Sequence, residues 1–425
     1  FHTEMEKFVN LFRDDMIYKS TNSRWSFIGE IYQMGVAEEP FFTFTLVDLI
    51  GNSRKDSLEI FDTEGTFYPY SNRWVGKAGV VYWTRAGLSQ DVHAVLSDYS
   101  LDLRKPQVSA ENVQFYYPDY FSYPLVGRLD EKAGLETTEE KANYPRFLSY
   151  DKLLTIQNIY KNVDYIGGFE LRGASIMGAS HSDTLAKVFI TKDGKQVIAV
   201  QALNYMFKRE SLLANDARVV IYIEDDSIYH PAANFRYNED TRELLISRTK
   251  YGIGRSPFFD SYHKLDIYAE TISWVITDEK IEIKPLPGQT SASSAIFESQ
   301  NYFEDLKMKK LQGYNEENPL FSIWKVFRAN QFGNVPVETF TNYFGKSPED
   351  VKRLLIEYAA EGFIEYDLNH NKIGYRKKIA QYLNNDVGKK DFDNIILESK
   401  QHYASLDLLT NDLKISGCEF FILSD

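Results

Sequence analysis

The chain has 425 residues, 43% of them hydrophobic and 26% charged, enough for more than one core and for roughly two to four domains. Its 48 basic against 61 acidic residues leave a net charge of −13, which repels a phosphate backbone unless positive charge is gathered on one domain. No run approaches the ~18 apolar residues that span a bilayer. The single cysteine, Cys418, excludes an intrachain disulfide and a zinc site built from several thiolates.

The sequence opens at Phe1 without an initiator methionine or a signal peptide, so the expectation is a processed chain or a piece of a longer one. From Glu4 to Tyr18, Met5, Phe8, Val9, Phe12 and Met16 fall on one helical stripe and predict a short amphipathic helix. From Trp25 the period changes to two, with strands predicted at Ser26–Tyr32 and Phe41–Leu46. Strands at Ser57–Phe61, Gly65–Pro69, Gly79–Trp83, Val92–Leu96, Tyr99–Leu103 and Asn112–Tyr116 follow at regular spacing and suggest a meander, a sandwich or a stack of rungs. No strict repeat is visible. The 29 Tyr, 29 Phe and 5 Trp fit strand-rich structure or, alternatively, a carbohydrate-binding surface.

A polar interval from Asp130 to Tyr144 reads as a loop or short helix before a second β-region from Lys152 to Pro287. There Asp193-Gly194 supplies the positive φ values of a tight hairpin turn between Lys187–Lys192 and Lys195–Val200. Further strands are predicted at Arg218–Ile223, Leu244–Ser247, Lys264–Trp274 and Lys280–Ile283. Pro285 to Ser294 marks a boundary, and a linker helix is expected near Tyr302–Gln312.

Pro319 to Leu383 reads as a winged helix-turn-helix. Phe321, Ile323, Trp324, Val326 and Phe327 line a first helix; a second opens at Asn334–Val337 with Phe340 and Tyr343 inward and ends at Gly345. Ser347 caps a third, with Pro348 in its first turn, Asp350 completing a capping box, and Val351, Leu354, Leu355 and Tyr358 on one face. Gly362 stops it, and Phe363–Tyr366 and Lys372–Tyr375 form a hairpin wing. The segment holds nine Lys or Arg and seven Asp or Glu, a net of +2, and Lys352 and Arg353 are offset by Glu349, Asp350, Glu357 and Glu361. The dense basic cluster is Arg376-Lys377-Lys378. This balance favours a structural or protein-docking module over a DNA reader.

Candidate chemistry is sparse. His181-Ser182-Asp183 fits a metal or a dyad, but equally a polar loop. Glu224-Asp225-Asp226 lacks the ligand alternation of a calcium loop. Tyr229-His230 and Tyr262-His263 repeat a pair that could supply two remote ligands or simply pack at strand edges. Gly252–Pro257 reads as a turn, and there is no Gly-x-Ser-x-Gly, Gly-Lys-Ser/Thr or His-Glu-x-x-His motif.

Tyr68-Pro69 with Ser71–Trp74, Tyr144–Phe147, Asp164–Phe169, Asp226–Pro231, Ser261–Asp266 and Ile422–Asp425 together resemble a family of very large exported proteins of Bacteroidota. The resemblance covers nearly the whole chain. It implies export, a cell-envelope setting and an internal position in a longer protein, and carries over no catalytic residues.

The fold expectation is α+β, mainly β: antiparallel or stacked strands with an embedded winged-helix-like domain. The expected divisions are a lead helix (1–30), a first β-region (31–150), a second (151–290), a linker (291–318), the winged-helix-like domain (319–384) and a returning β-segment (385–425). The functional expectation is a non-enzymatic structural or docking component of an envelope assembly, with no cofactor or metal. Its partners would be other envelope proteins or further domains of the same longer chain, without nucleic acid, and membrane association would come only through partners. Candidate docking residues are Tyr343, Lys352, Arg353, Arg376, Lys377 and Lys378. The alternatives are a glycan-binding or glycan-degrading protein, with Trp74 and Trp83 as stacking residues, and a DNA-binding regulator.

Overall fold

The computed structural model describes residues 8, 10–54, 56–134, 138–181, 184–286, 294–312, 317–386, 388, 395–400 and 403–422. The fold is mainly β, with 52% of residues in strands and 16% helical, and its strands pair antiparallel. The chain forms two compact units. One comprises residues 1–157, 166–179 and 206–209; the other comprises 158–165, 180–205 and 210–425.

The first unit is organised around the long hairpin of Pro40–Ser53 and Asp56–Tyr68. Register shifts on either side of Val47, with positive φ at Leu46 and Asp62, mark bulges that bend a strand pair. The hairpin accordingly feeds two branches. Arg73–Lys77 pairs with Glu64–Tyr68, whereas Val80–Tyr82 joins opposite Phe61. His93–Val95 continues the second branch and Asp98–Asp102 returns to the first.

The second unit repeats this pairing pattern. Its long hairpin, Ser211–Ile223 and Asp226–Asn238, is bulged around Ala217. Glu243–Ser247 pairs with one half and Phe258–Asp260 with the other; Leu265–Tyr268 then extends the second branch, and Thr271–Val275 returns to the first. Both hairpins re-enter their second strand at an Asp-Ser pair, Asp56-Ser57 and Asp226-Ser227. The repeat lies in pairing topology and carries no strict sequence period.

Aromatic side chains build the first core. Phe115 stacks on Phe147 at 4.2 Å and lies within reach of Phe169, which Phe121 meets edge-on. The Tyr99 hydroxyl is 2.6 Å from Thr63 Oγ1 and accepts from Trp74 Nε1 at 3.3 Å. The amphipathic lead helix differs from expectation: residues 10–13 are helical, but Met16–Lys19 is a strand paired with Arg24–Ser26. Asp15, at φ 53°, breaks the helix, and burial of Met16 and Ile17 favours the strand. Residues 1–7 and 9, Ser182-Asp183, Pro287–Ser293 and Leu423–Asp425 lie outside the described residues.

Among the described residues of the second unit, five α-helices lie between strand Ala295–Ser299 and the returning strands from Ile396: α1 (Asp305–Gln312), α2 (Pro319–Ala329), α3 (Val337–Phe344), α4 (Pro348–Ala360) and α5 (Lys378–Asp386). Between α4 and α5, Ile364–Asp367 and Lys372–Tyr375 form a hairpin, and Val335–Pro336 adds a third strand to it. Local signals explain these boundaries. Asn318 Oδ1 accepts from Leu320 N at 2.9 Å and Ser347 Oγ from Asp350 N at 3.2 Å, while Gly345 and Gly362 adopt φ 60° and 76° at helix ends. Tyr343 differs from expectation. Val337, Phe340 and Phe344 centre the inward face of α3, so Tyr343 lies about 90° round the helix and is 48% exposed.

Candidate functional site

The site lies where the helical segment meets the strands of the second unit. One apolar cluster joins them: Ile253 and Ala232 from the β-region pack with Leu320, Ile323, Leu355, Tyr358 and Phe363. Polar contacts bracket this cluster. Ser256 Oγ donates to Ala359 O at 3.1 Å, Tyr268 OH to Glu361 O at 3.0 Å, and Arg255 meets Glu357 at 2.6 Å.

Beside the apolar seam sits a cluster of three acids and three bases. Arg376 grips both carboxylate oxygens of Asp266, at 2.8 and 3.1 Å, and Lys378 Nζ shares the second oxygen at 2.8 Å. Lys378 also reaches Glu298; Lys307 lies 3.6 Å from Glu298 and 2.9 Å from Glu361. Asp266 and Lys378 are sealed from solvent, at 0% and 1% side-chain exposure. Burial by itself would raise the Asp266 pKa, yet the adjacent Lys378 and Arg376 charges outweigh it and hold the carboxyl lowered. Burial likewise opposes the charge on Lys378, and Asp266 and Glu298 more than reverse that, leaving its pKa raised. Phe259 under Arg376, at 3.9 Å, and Phe363 beside both lysines complete the packing.

The structure thus separates the candidate docking residues. Arg376 and Lys378 point inward and hold the helical segment to its own strands, while Tyr343, Lys352, Arg353 and Lys377 face solvent. Trp74 and Trp83 do not line a sugar-binding surface: both are 0% exposed, so no ring face is free to stack on a saccharide. The acids of the cluster, Asp266, Glu298 and Glu361, were not singled out from the sequence. The available signal was Lys378, a charged residue directly before the apolar Ile379 and Tyr382 of α5.

The two histidines quoted as remote ligands each have both ring nitrogens engaged. His230 Nδ1 accepts from Ala232 N at 3.1 Å, which places the proton on Nε2, donating to Ser256 O at 2.9 Å. Complete burial, with Arg248 nearby, pushes its pKa down to about 3. His263 Nδ1 lies 2.7 Å from Asp260 and Nε2 2.8 Å from Asn411 O, contacts that raise its pKa, led by the Asp260 hydrogen bond. Among the described residues no group of three or more His, Cys, Asp or Glu could hold a metal ion.

In the first unit, Arg85 hydrogen-bonds Asp56 at 2.9 Å and approaches buried Glu131 at 2.5 Å, out of line for a hydrogen bond. Burial dominates at Glu131 and lifts its pKa to about 8, with Arg85 opposing and Asp56 reinforcing the rise.

Clefts open on the second unit among the described residues. One, about 230 Å³, lies among the turns carrying Lys161, Asp193, Arg242 and Glu279. Another, about 110 Å³, runs between the hairpin of the helical segment and the long strands, lined by Arg218 and Tyr229 on one wall and Glu365 and Lys372 on the other. Comparison with family profiles, curated proteins and solved structures finds no match to this chain.

Proposed function

We propose that this chain is a non-enzymatic structural or docking component of a bacterial cell-envelope assembly, as its resemblance to very large exported Bacteroidota proteins implies. Residues 319–384 serve in this reading as a winged-helix-like module that docks proteins. The observation that carries it is the six-charge cluster, sealed at Asp266 and Lys378, which ties the module to strands of its own unit and commits Arg376 and Lys378 of its basic run internally. The outward residues Tyr343, Lys352, Arg353 and Lys377 are left for partners, which are other envelope proteins or further domains of the same longer chain. A DNA-reading role has less behind it, because Arg376 and Lys378 are already neutralised. No helix among the described residues is long and apolar enough to cross a membrane, and membrane association is assigned to partners.

The test is to tag the natural protein, fractionate the cells that make it, and crosslink it in place. The expected result is recovery in the envelope with a stoichiometric partner, lost when Tyr343→Ala, Lys352→Glu and Arg353→Glu are combined. Recovery of a solitary chain from the cytosol, or a partner indifferent to the triple variant, would overturn the proposal.

A further inference from the structure

In the second unit the helical segment rests on one cross-strand row. Tyr229, Phe259, Asp266 and Glu298 stand opposite one another on successive strands. Arg376 and Lys378 close over the last three, which are 3%, 0% and 4% exposed. Register locates the same row in the first unit. Counted from the shared Asp-Ser turn, Glu59 holds the place of Tyr229; pairing then puts Tyr82 where Phe259 stands, His93 where Asp266 stands and Tyr116 where Glu298 stands. The helical segment enters after Ser299, whereas the first unit passes from Tyr116 to Leu125 through residues 117–124 alone. Tyr117 and Phe121 of that connection are buried against Phe115 and Phe169, so it packs with the core.

The row in the first unit is apolar where a solvated face should be polar. Tyr82 lies 5.4 Å from Phe61 and 5.8 Å from His93, and His93 stacks on Tyr116 at 4.8 Å and 11°. All four rings are half-buried. Val80 and Val95 pair on the same face, and Val126, beyond Gln114, is 43% exposed. Strands with one wet face alternate apolar inward and polar outward. The other branch of this unit follows that rule, with Arg73, Lys77, Asp98, Ser100 and Asp102 surrounding outward Val75. A contiguous apolar row on one branch marks a contact surface.

Comparison of the two rows selects the occupant. In the second unit helices cover the row through two acids that hold Arg376 and Lys378, but His93 and Tyr116 offer no carboxylate at those places. A helical segment of this chain's own kind, that of a second copy included, would bury both cations unpaired there, which is strongly unfavourable. The fitting occupant is a helix whose docking face is apolar, with basic residues only toward exposed Glu59. We propose that the row of Phe61, Tyr82, His93 and Tyr116 binds an amphipathic α-helix of a different polypeptide, its apolar positions at i, i+3, i+4 and i+7 seated on the rings. The inference concerns the unit that lacks the winged-helix-like module and does not depend on that module's docking role.

The experiment places the photocrosslinker benzoylphenylalanine at Tyr82, and separately at Tyr116, of the whole chain in the cells that make it, and maps both ends of each crosslink by mass spectrometry. The expected result is attachment to a different protein, at residues spaced as one apolar helix face with Lys or Arg in the same helix. The yield should fall about tenfold or more with Val95→Glu or Val126→Glu, which bury a charge in the contact, and severalfold with Glu59→Lys. Val126 and Glu59 are exposed and Val95 is half-buried on the outer face, so melting curves should report the variants folded. Crosslinks confined to this chain or a second copy of it, to an extended segment, or to no protein overturn the proposal. So do crosslinks at helical spacing whose yield the folded variants leave unchanged.

Discussion

Replacing Asp266 by Asn keeps the side-chain volume and removes one charge from the sealed centre of the cluster. Arg376, Lys378 and Lys307 then face only Glu298 and Glu361, and Arg376 loses its bidentate carboxylate. Breaking a buried pair on one side costs about 3–5 kcal/mol, because the remaining charge stays buried without compensation. At 1.4 kcal/mol per tenfold, that corresponds to roughly a hundredfold to a few-thousandfold shift in opening of the helical segment from its strands. Native-state hydrogen exchange resolves this, with amides of α2 and α4 as reporters and the hairpin Ser211–Asn238 as internal reference. A second substitution, Arg376→Met, should add much less in the Asp266→Asn background than alone. The native cluster should also confer an acid limb. Since the Asp266 pKa is lowered on folding, its stabilisation is complete above the unfolded carboxyl value near 3.9 and is lost as pH falls through the folded value. The Asn variant lacks that limb. Protection in α2 and α4 reduced less than about tenfold, or substitutions that add independently, would refute the account.

His230, neutral when folded and titrating near pH 3, should make stability rise with pH between about 3 and 6.5, where only the unfolded chain takes up the proton; its ring resonances should stay constant from pH 8 to 4. Glu131 acts in the opposite sense, binding its proton up to about pH 8 when folded, so stability should fall as pH rises from about 4.5 to 8. Urea unfolding of Glu131→Gln at pH 5 and pH 8 should show that this dependence has gone. A Cβ at Gly76 would meet Tyr99 Cζ at 2.1 Å, inside the core of the first unit, so Gly76→Ala should destabilise by about 1–3 kcal/mol in urea unfolding. Ser347→Ala should cost about 1 kcal/mol, read as faster exchange in the first turn of α4.

What the sequence revealed follows the range of the forces involved. Caps and stops at Ser347, Pro348, Gly345 and Gly362 act within one turn, and α2, α4 and the hairpin were readable to within a residue or two, whereas α3 begins only at Val337 because Val335–Pro336, expected to open it, pairs as a strand with Lys372 and Ile373. The long strand Asp56–Tyr68 was divided at Asp62 and Gly65 because a bulge admits turn-like residues into a strand that pairing elsewhere holds together. Charge was the least legible property. Arg376-Lys377-Lys378 is a visible basic run, but two of its three members turn inward to an aspartate 110 and 112 residues away. The count of +2 for residues 319–383 describes composition alone. Asp266 and Glu298 lie outside that segment and take up the charges of Arg376 and Lys378, while Lys307, also outside it, pairs with Glu298 and Glu361. The charge that such a module presents to a partner is therefore set by which residues fold against it, and the exposed pair Lys352 and Arg353 becomes its principal basic feature only after that subtraction.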